Sequence, residues 1–188
     1  MTMESDLPVD LWLPGLTLVL GGARSGKSHY AETLIMDHVA TTATRPVYIA
    51  TAEAGDAEML ERVAAHQARR DAVWTTVETL IGLDTVLEDH AHEDRPVLVD
   101  SLTLWLSNVM HAGLDVAGET EKLLVALDAA TAPIVVVSDE VGLGLVPDTP
   151  LGRAFRDALG RLNQRVASLA DRVVFVTAGL PLVLKDDA

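Results

Sequence analysis

The strongest constraint on this chain is the run Leu16-Thr17-Leu18-Val19-Leu20, followed at once by Gly21-Gly22-Ala23-Arg24-Ser25-Gly26-Lys27-Ser28. The apolar run reads as a buried strand, and the residues after Ser28 continue with helical spacing. Between them, Gly-x-x-x-x-Gly-Lys-Ser is a phosphate-loop pattern in the context its mechanics require, a strand before it and a helix after it. Glycines let backbone N–H groups turn inward on phosphate oxygens, and the helix N-terminus adds a favourable dipole. Lys27 is expected to reach the β- and γ-phosphates of a nucleoside triphosphate, with the Ser28 hydroxyl on Mg2+. The competing reading, a chance glycine turn before a helix, has to explain strand, loop, Lys-Ser pair and helix together.

Elsewhere, Val47–Ala50, Val97–Val99, Ile134–Val137 and Val173–Val176 are short Val/Ile/Leu-rich runs with little polar alternation, the pattern of strands buried on both faces of a parallel sheet. Val73–Val77 is a weaker strand candidate and Leu182–Leu184 a short final one. Helical patterns fall at 27–39, 56–70, 102–111, 118–130 and 151–170. This rhythm predicts an α/β fold of the P-loop NTPase class, a mostly parallel open sheet of about seven strands with helices on both faces. Residues 1–15 read as an N-terminal tail and 16–188 as a single domain. Gly142–Pro150 is the longest loop candidate, either a lid or a plain connection.

Composition narrows the function. With 49% hydrophobic and 22% charged residues over 188 positions, the chain has the makings of a globular core. The absence of cysteine rules out disulfides, thiolate zinc sites and cysteine nucleophiles. A net charge of −14 argues against nucleic acid or an anionic membrane as partner. An acidic protein that handles phosphates must concentrate its cations, and most of its Lys and Arg fall in three places. These are Arg24 and Lys27; Arg62, Arg69 and Arg70; and Arg153, Arg156, Arg161 and Arg165. The start is acidic where a signal peptide is basic, and no apolar run reaches membrane-span length, so a cytoplasmic protein is expected.

Val97-Leu98-Val99-Asp100 is a buried strand ending in a carboxylate. Beside a phosphate loop, Asp100 is a candidate second partner for Mg2+; the alternative is an N-cap for the next helix. The segment from Asp56 to Arg70 is helical by pattern, with Met59, Leu60, Val63 and Ala64 as its apolar stripe. His66 stands at the stripe's edge, with Arg62 four residues before it and Arg70 four after. Neighbouring cations disfavour imidazolium, which keeps a nitrogen lone pair available, and the arginines suit a triphosphate. These are the requirements for a histidine that attacks an α-phosphate. Periodicity alone favours the plainer reading, a solvated or capping histidine at a helix edge. The second basic segment, Leu151 to Arg165, reads either as a solvated face with local pairs such as Arg153–Asp157 or as a surface for substrate phosphate or a neighbouring subunit.

From Leu16 to Lys185 the chain resembles the bifunctional adenosylcobinamide kinase/adenosylcobinamide-phosphate guanylyltransferases of adenosylcobalamin biosynthesis. The resemblance rests on the phosphate loop, Tyr48-Ile-Ala-Thr-Ala52, Glu58-Met59, Arg62-Val-x-x-His66 and Trp74. It continues in Leu98-Val-Asp100-Ser-Leu-Thr103, Glu140-Val-Gly-Leu-Gly-Leu-Val-Pro147, Phe155-Arg-Asp157 and Asn163-Gln164-Arg165. It implies two reactions. ATP or GTP phosphorylates the aminopropanol hydroxyl of adenosylcobinamide; then GTP guanylylates a histidine, and the GMP passes to adenosylcobinamide phosphate. The modified histidine aligns with His66. The implied GTP contacts are Gly21 through Ser28, Thr51, Ala52, Glu53, Arg69, Arg70, Glu78 and Asp100. The family fold resembles a recombinase core and assembles as a homotrimer. Two departures stand out. Ala65 occupies a position where relatives often carry a second histidine, which leaves His66 as the acceptor. Asp139 stands where Asn is frequent, adding negative charge at a strand end. Two other readings are weighed against this one: a single-activity P-loop kinase with His66 as bystander, and a recombinase-like NTPase module acting on a polymer. The acidic net charge counts against the polymer.

Overall fold

The strand order of the sheet decides which of these candidates can meet. The structure, a computed structural model, describes residues 13–52, 73–92 and 95–187. Seven strands, β1 (Leu16–Gly21), β2 (Val47–Ala50), β3 (Thr75–Glu78), β4 (Val97–Asp100), β5 (Ile134–Asp139), β6 (Arg172–Thr177) and β7 (Leu180–Asp186), form one sheet in the order β3-β2-β4-β5-β1-β6-β7. All neighbours pair in parallel except β6 and β7, which are antiparallel. The described helices are α1 (Lys27–Thr42), α2 (Leu83–His90), α3 (Leu102–His111), α4 (Val116–Ala129) and α5 (Pro150–Leu169). This is the expected mostly parallel sheet of the P-loop class.

The continuous apolar runs follow from burial on both faces. Successive strand residues point to opposite sides. Leu16, Leu18, Val97, Val99, Ile134 and Val136 therefore enter one core, and Val19, Leu98, Val135 and Val137 the other. The first core is covered by α2, α3, α4 and α5 through residues such as Leu87, Trp105, Leu123 and Leu159. The second is covered by α1 through Ala31, Ile35 and Val39. Local chemistry sets the helix starts. The side chains of Ser101, Asp115 and Thr149 accept hydrogen bonds from the first turns of α3, α4 and α5, and Pro150 opens α5, where its missing N–H costs nothing.

Several expectations need correction. The third strand is Thr75–Glu78, not Val73–Val77: Thr75 N bonds to Pro46 O and Thr79 N to Ala50 O, both at 2.9 Å, which locks the register to β2. Val73 and Trp74 instead pack on the α1 side. Helix α2 is absent from the sequence expectation; its eight residues bury only Leu83 and Leu87, with Val86 half-buried beside them, too short a stripe for periodicity to pick out. The final strand runs Leu180–Asp186, longer than its apolar centre. Of the 1–15 tail, Leu13 and Pro14 are buried. The proposed helix at 56–70 lies outside the described residues. Among the described residues no helix is long and apolar enough to cross a membrane.

Candidate functional site

Ligands of open parallel sheets bind beyond the carboxyl ends of the strands. β1 ends there in the glycine-rich loop and β4 in Asp100, with the end of β5 between them. The loop's shape depends on two glycines. Gly26 has φ 102°, and a Cβ there would lie 3.2 Å from Gly179 Cα. A Cβ on Gly21 would lie 2.6 Å from Ser25 Oγ and run into the Val176 carbonyl. Only a residue without a side chain fits these positions. Ser25 N donates to Gly22 O at 3.3 Å, and Gly179 N, from the β6–β7 turn, donates to Ser25 O at 2.8 Å. The hairpin turn thus braces the loop from outside.

Gly26 begins α1 with no side-chain cap, and the first turn carries no acidic residue, so its N–H groups and dipole remain suited to an anion. Ser25 Oγ is buried and has no hydrogen-bond partner among the described residues, as fits a group reserved for a bound phosphate. Lys27 is 9% exposed. Its ammonium donates to Gly22 O at 3.0 Å and lies 2.5 Å from Asp139 Oδ1.

Asp100 is aimed from the next strand: Tyr48 Oη donates to its Oδ2 at 2.9 Å. Tyr48 is held edge-on against Trp74, with ring centroids 5.8 Å apart. Among the described residues no three His, Asp or Glu side chains gather as a metal cage. A cation held by Ser28 and Asp100 would take its remaining oxygens from phosphate and water. The Ser28 hydroxyl and the Asp100 carboxylate are hard oxygen donors, and that set fits Mg2+ bound together with phosphates.

The remaining candidates divide. Thr51 is fully buried, and its hydroxyl is committed to Ser101, donating to Ser101 O at 2.7 Å and accepting from Ser101 N at 2.8 Å. It ties the end of β2 to the end of β4. Ala52 follows it at the same end. Glu78 ends β3 with its side chain exposed, but three strands separate β3 from β1, a span of about 19 Å. Glu53, His66, Arg69 and Arg70 lie outside the described residues.

The sequence reading missed the residues that position the strand ends. Asp139 N donates to Thr103 Oγ1 at 2.8 Å, and Asn163 Nδ2 donates to Asp139 O at 3.1 Å. Asn163 Oδ1 in turn accepts from Ser138 Oγ at 2.7 Å. Thr103 and Asn163 stand in quoted motifs, but nothing in a linear sequence assigns them to β5. The second basic segment also differs from expectation. In place of a pair with Asp157, Arg153 donates to the carbonyls of Pro147 and Asp148, at 3.0 and 2.8 Å. Arg156 donates to Gly142 O at 2.6 Å. Both arginines pin the loop between β5 and α5, while Arg165 pairs with Glu121 on α4.

A buried lysine, a glycine-rich loop that opens an uncapped helix, and an aimed carboxylate, at the same end of one sheet, can bind a nucleoside triphosphate and stabilise charge on its phosphates. Comparisons with known proteins agree. The family model described as "Cobinamide kinase / cobinamide phosphate guanyltransferase" matches residues 17–184. The chain is 46% identical to the "Bifunctional adenosylcobalamin biosynthesis protein CobP" of Pseudomonas aeruginosa, over 90% of this chain and 97% of that one. It is 37% identical to the protein named CobU in Salmonella typhimurium and 34% to that in Escherichia coli, each over 90% of this chain and 99% of the relative. Among solved structures, the flagellar accessory protein FlaH of Methanocaldococcus jannaschii superposes with a TM-score of 0.53 at 13% identity, over 93% of this chain and 80% of that one, a likeness of fold alone. With a family match across nearly all its length and relatives this similar, the chain belongs to the cobinamide kinase/cobinamide phosphate guanyltransferase family.

Proposed function

We propose that this chain phosphorylates adenosylcobinamide with ATP or GTP and then transfers GMP from GTP to the product, through a guanylyl-histidine at His66. The observation that supports it most is the phosphate site itself: Lys27, buried with its ammonium on the loop carbonyl of Gly22, and Asp100, aimed by Tyr48, stand at the carboxyl ends of one sheet within the family match.

In the kinase step, the aminopropanol oxygen bonds to the γ-phosphorus as the bridge to the β-phosphate breaks. The nucleoside diphosphate leaves, and the hydroxyl proton is lost. Lys27 and the loop amides bind the outer phosphates and absorb the charge that gathers on the leaving group. In the transfer, a neutral nitrogen of His66 bonds to the α-phosphorus and pyrophosphate leaves. A phosphate oxygen of adenosylcobinamide phosphate then displaces the histidine, giving adenosylcobinamide-GDP. Mg2+, held by Ser28 and Asp100, would supply charge neutralisation on the phosphates. Glu53, Arg69, Arg70 and Glu78 are proposed to complete the GTP contacts. Assembly as a homotrimer belongs to the same reading, and light scattering coupled to sizing tests it.

The experiment is incubation with α-labelled GTP and Mg2+. Acid-labile label on the protein, lost in His66→Ala and released as labelled product by cobinamide phosphate, is the expected result. A protein that binds GTP and phosphorylates cobinamide but never takes up label is a single-activity kinase, and the transfer half fails.

A further inference from the structure

The carboxylate of Asp139 occupies the ammonium that the triphosphate needs. β5 lies between β4 and β1, with Asp100 level with Val137 and Gly21 level with Asp139. Asp139 thus stands two residues, about 7 Å, beyond the Asp100 row toward the carboxyl end, against the phosphate loop. Its Oδ1 lies 2.5 Å from Lys27 Nζ. The lysine side chain is 10% exposed and the aspartate 28%. The backbone of Asp139 is held by Thr103 Oγ1 and Asn163 Nδ2, and the next residue, Glu140, donates its N–H to Gly21 O at 3.0 Å. The carboxylate can rotate about its side-chain bonds but cannot withdraw with the chain.

We infer that Asp139 makes this site discriminate metal-complexed nucleotide from metal-free nucleotide. The inference rests on the phosphate-site reading above. A triphosphate that takes Lys27 displaces the carboxylate and leaves it unpaired beside phosphate anions, with Asp100 on the neighbouring strand. Confining like charges at that range is costly where solvent access is limited. With a divalent cation on the phosphates the cost would fall, because the phosphate oxygens would be neutralised and the displaced carboxylate would have a new counter-charge. Metal-free nucleotide brings no such compensation. An amide at this position would still accept a hydrogen bond from Lys27 but would exert no repulsion, so the discrimination comes from the charge of Asp139.

The test is calorimetric titration of the full chain with a GTP analogue bearing a methylene bridge between its α- and β-phosphorus atoms, which histidine cannot cleave, in the absence of any corrinoid. Dissociation constants are measured in EDTA and in saturating Mg2+ for the unaltered protein, Asp139→Asn and Asp139→Ser. The structural hydrogen bonds at this residue come from its backbone, so both variants should keep the fold, and thermal unfolding checks it. The expected result is that both substitutions tighten metal-free binding by about tenfold and shrink the ratio of the two constants by a similar factor. A ratio unchanged by either substitution overturns the role of Asp139 and leaves the phosphate site intact. An unaltered protein that binds the analogue under neither condition overturns the phosphate site, and this inference with it.

Discussion

Tyr48 on β2 donates its phenolic hydrogen to Asp100 on β4 at 2.9 Å, so a carboxylate at one strand end takes its direction from the strand beside it. Tyr48 is 3% exposed and wedged against Trp74, which leaves the phenol little freedom. Tyr48→Phe keeps the packing and removes the hydrogen bond. Stability should fall by about 1 kcal/mol in urea unfolding. The Mg2+ concentration needed for half-maximal nucleotide binding should rise about tenfold, because an unoriented carboxylate is a poorer ligand. An unchanged Mg2+ requirement would remove Asp100 from the metal side.

Thr51 and Ser101 form a reciprocal pair in a fully buried setting. Thr51→Val is nearly isosteric but strands the N–H of Ser101 without a partner among the described residues, while its C=O keeps only the bond from Trp105 N. The expected loss is about 2 kcal/mol or more in the urea midpoint analysis, with Thr51→Ser recovering most of it. If Val and Ser variants are equally stable, the hydroxyl is not what joins β2 to β4.

Two glycines make opposite predictions. Gly26→Ala forces a side chain into a left-handed backbone position 3.2 Å from Gly179 and should weaken nucleotide binding by at least about tenfold. Gly160→Ala, inside α5 with no atom beyond its own stretch of helix backbone within 4 Å of the added carbon, should stabilise the protein by about 0.5–1 kcal/mol. Thermal unfolding and nucleotide titration on the two variants separate the effects; equal binding by Gly26→Ala would contradict the loop geometry.

Arg165 grips Glu121 with two hydrogen bonds, of 2.6 and 2.9 Å, joining α5 to α4. That hydrogen bonding, with the guanidinium charge, holds the Glu121 carboxyl below its ordinary pKa. Because the folded-state value is the lower one, the pair stabilises at pH above the unfolded carboxylate value. The contribution is lost as pH falls through the folded value. Melting temperatures of the unaltered protein and Glu121→Gln should therefore differ at neutral pH and converge in acid. High salt should shrink the neutral-pH gap, since both groups are exposed. A gap that persists in acid would assign the effect to packing.

The parts legible in the sequence were those carried by local pattern. Leu16–Leu20, Val97–Val99 and Ile134–Val137 read as doubly buried strands because apolar continuity is a property of neighbours in the chain, and the glycine-rich loop declared itself by spacing. Asp100 was found because it closes an apolar run. Where the signal needed a distant partner, it failed. The edges of β3 were set by carbonyls of Pro46 and Ala50, and α2 by a core that only the assembled sheet provides.

Sequence alone therefore determined the doubly buried strands, the longer described helices, the phosphate loop and the type of chemistry, since each depends on residues within a few positions of one another. Tertiary structure alone decided that Lys27 meets Asp139, that Tyr48 aims Asp100, and that Glu78 stands at the far edge of the sheet. Strand order and register place those side chains, and both arise from backbone pairing between segments that the linear chain keeps apart.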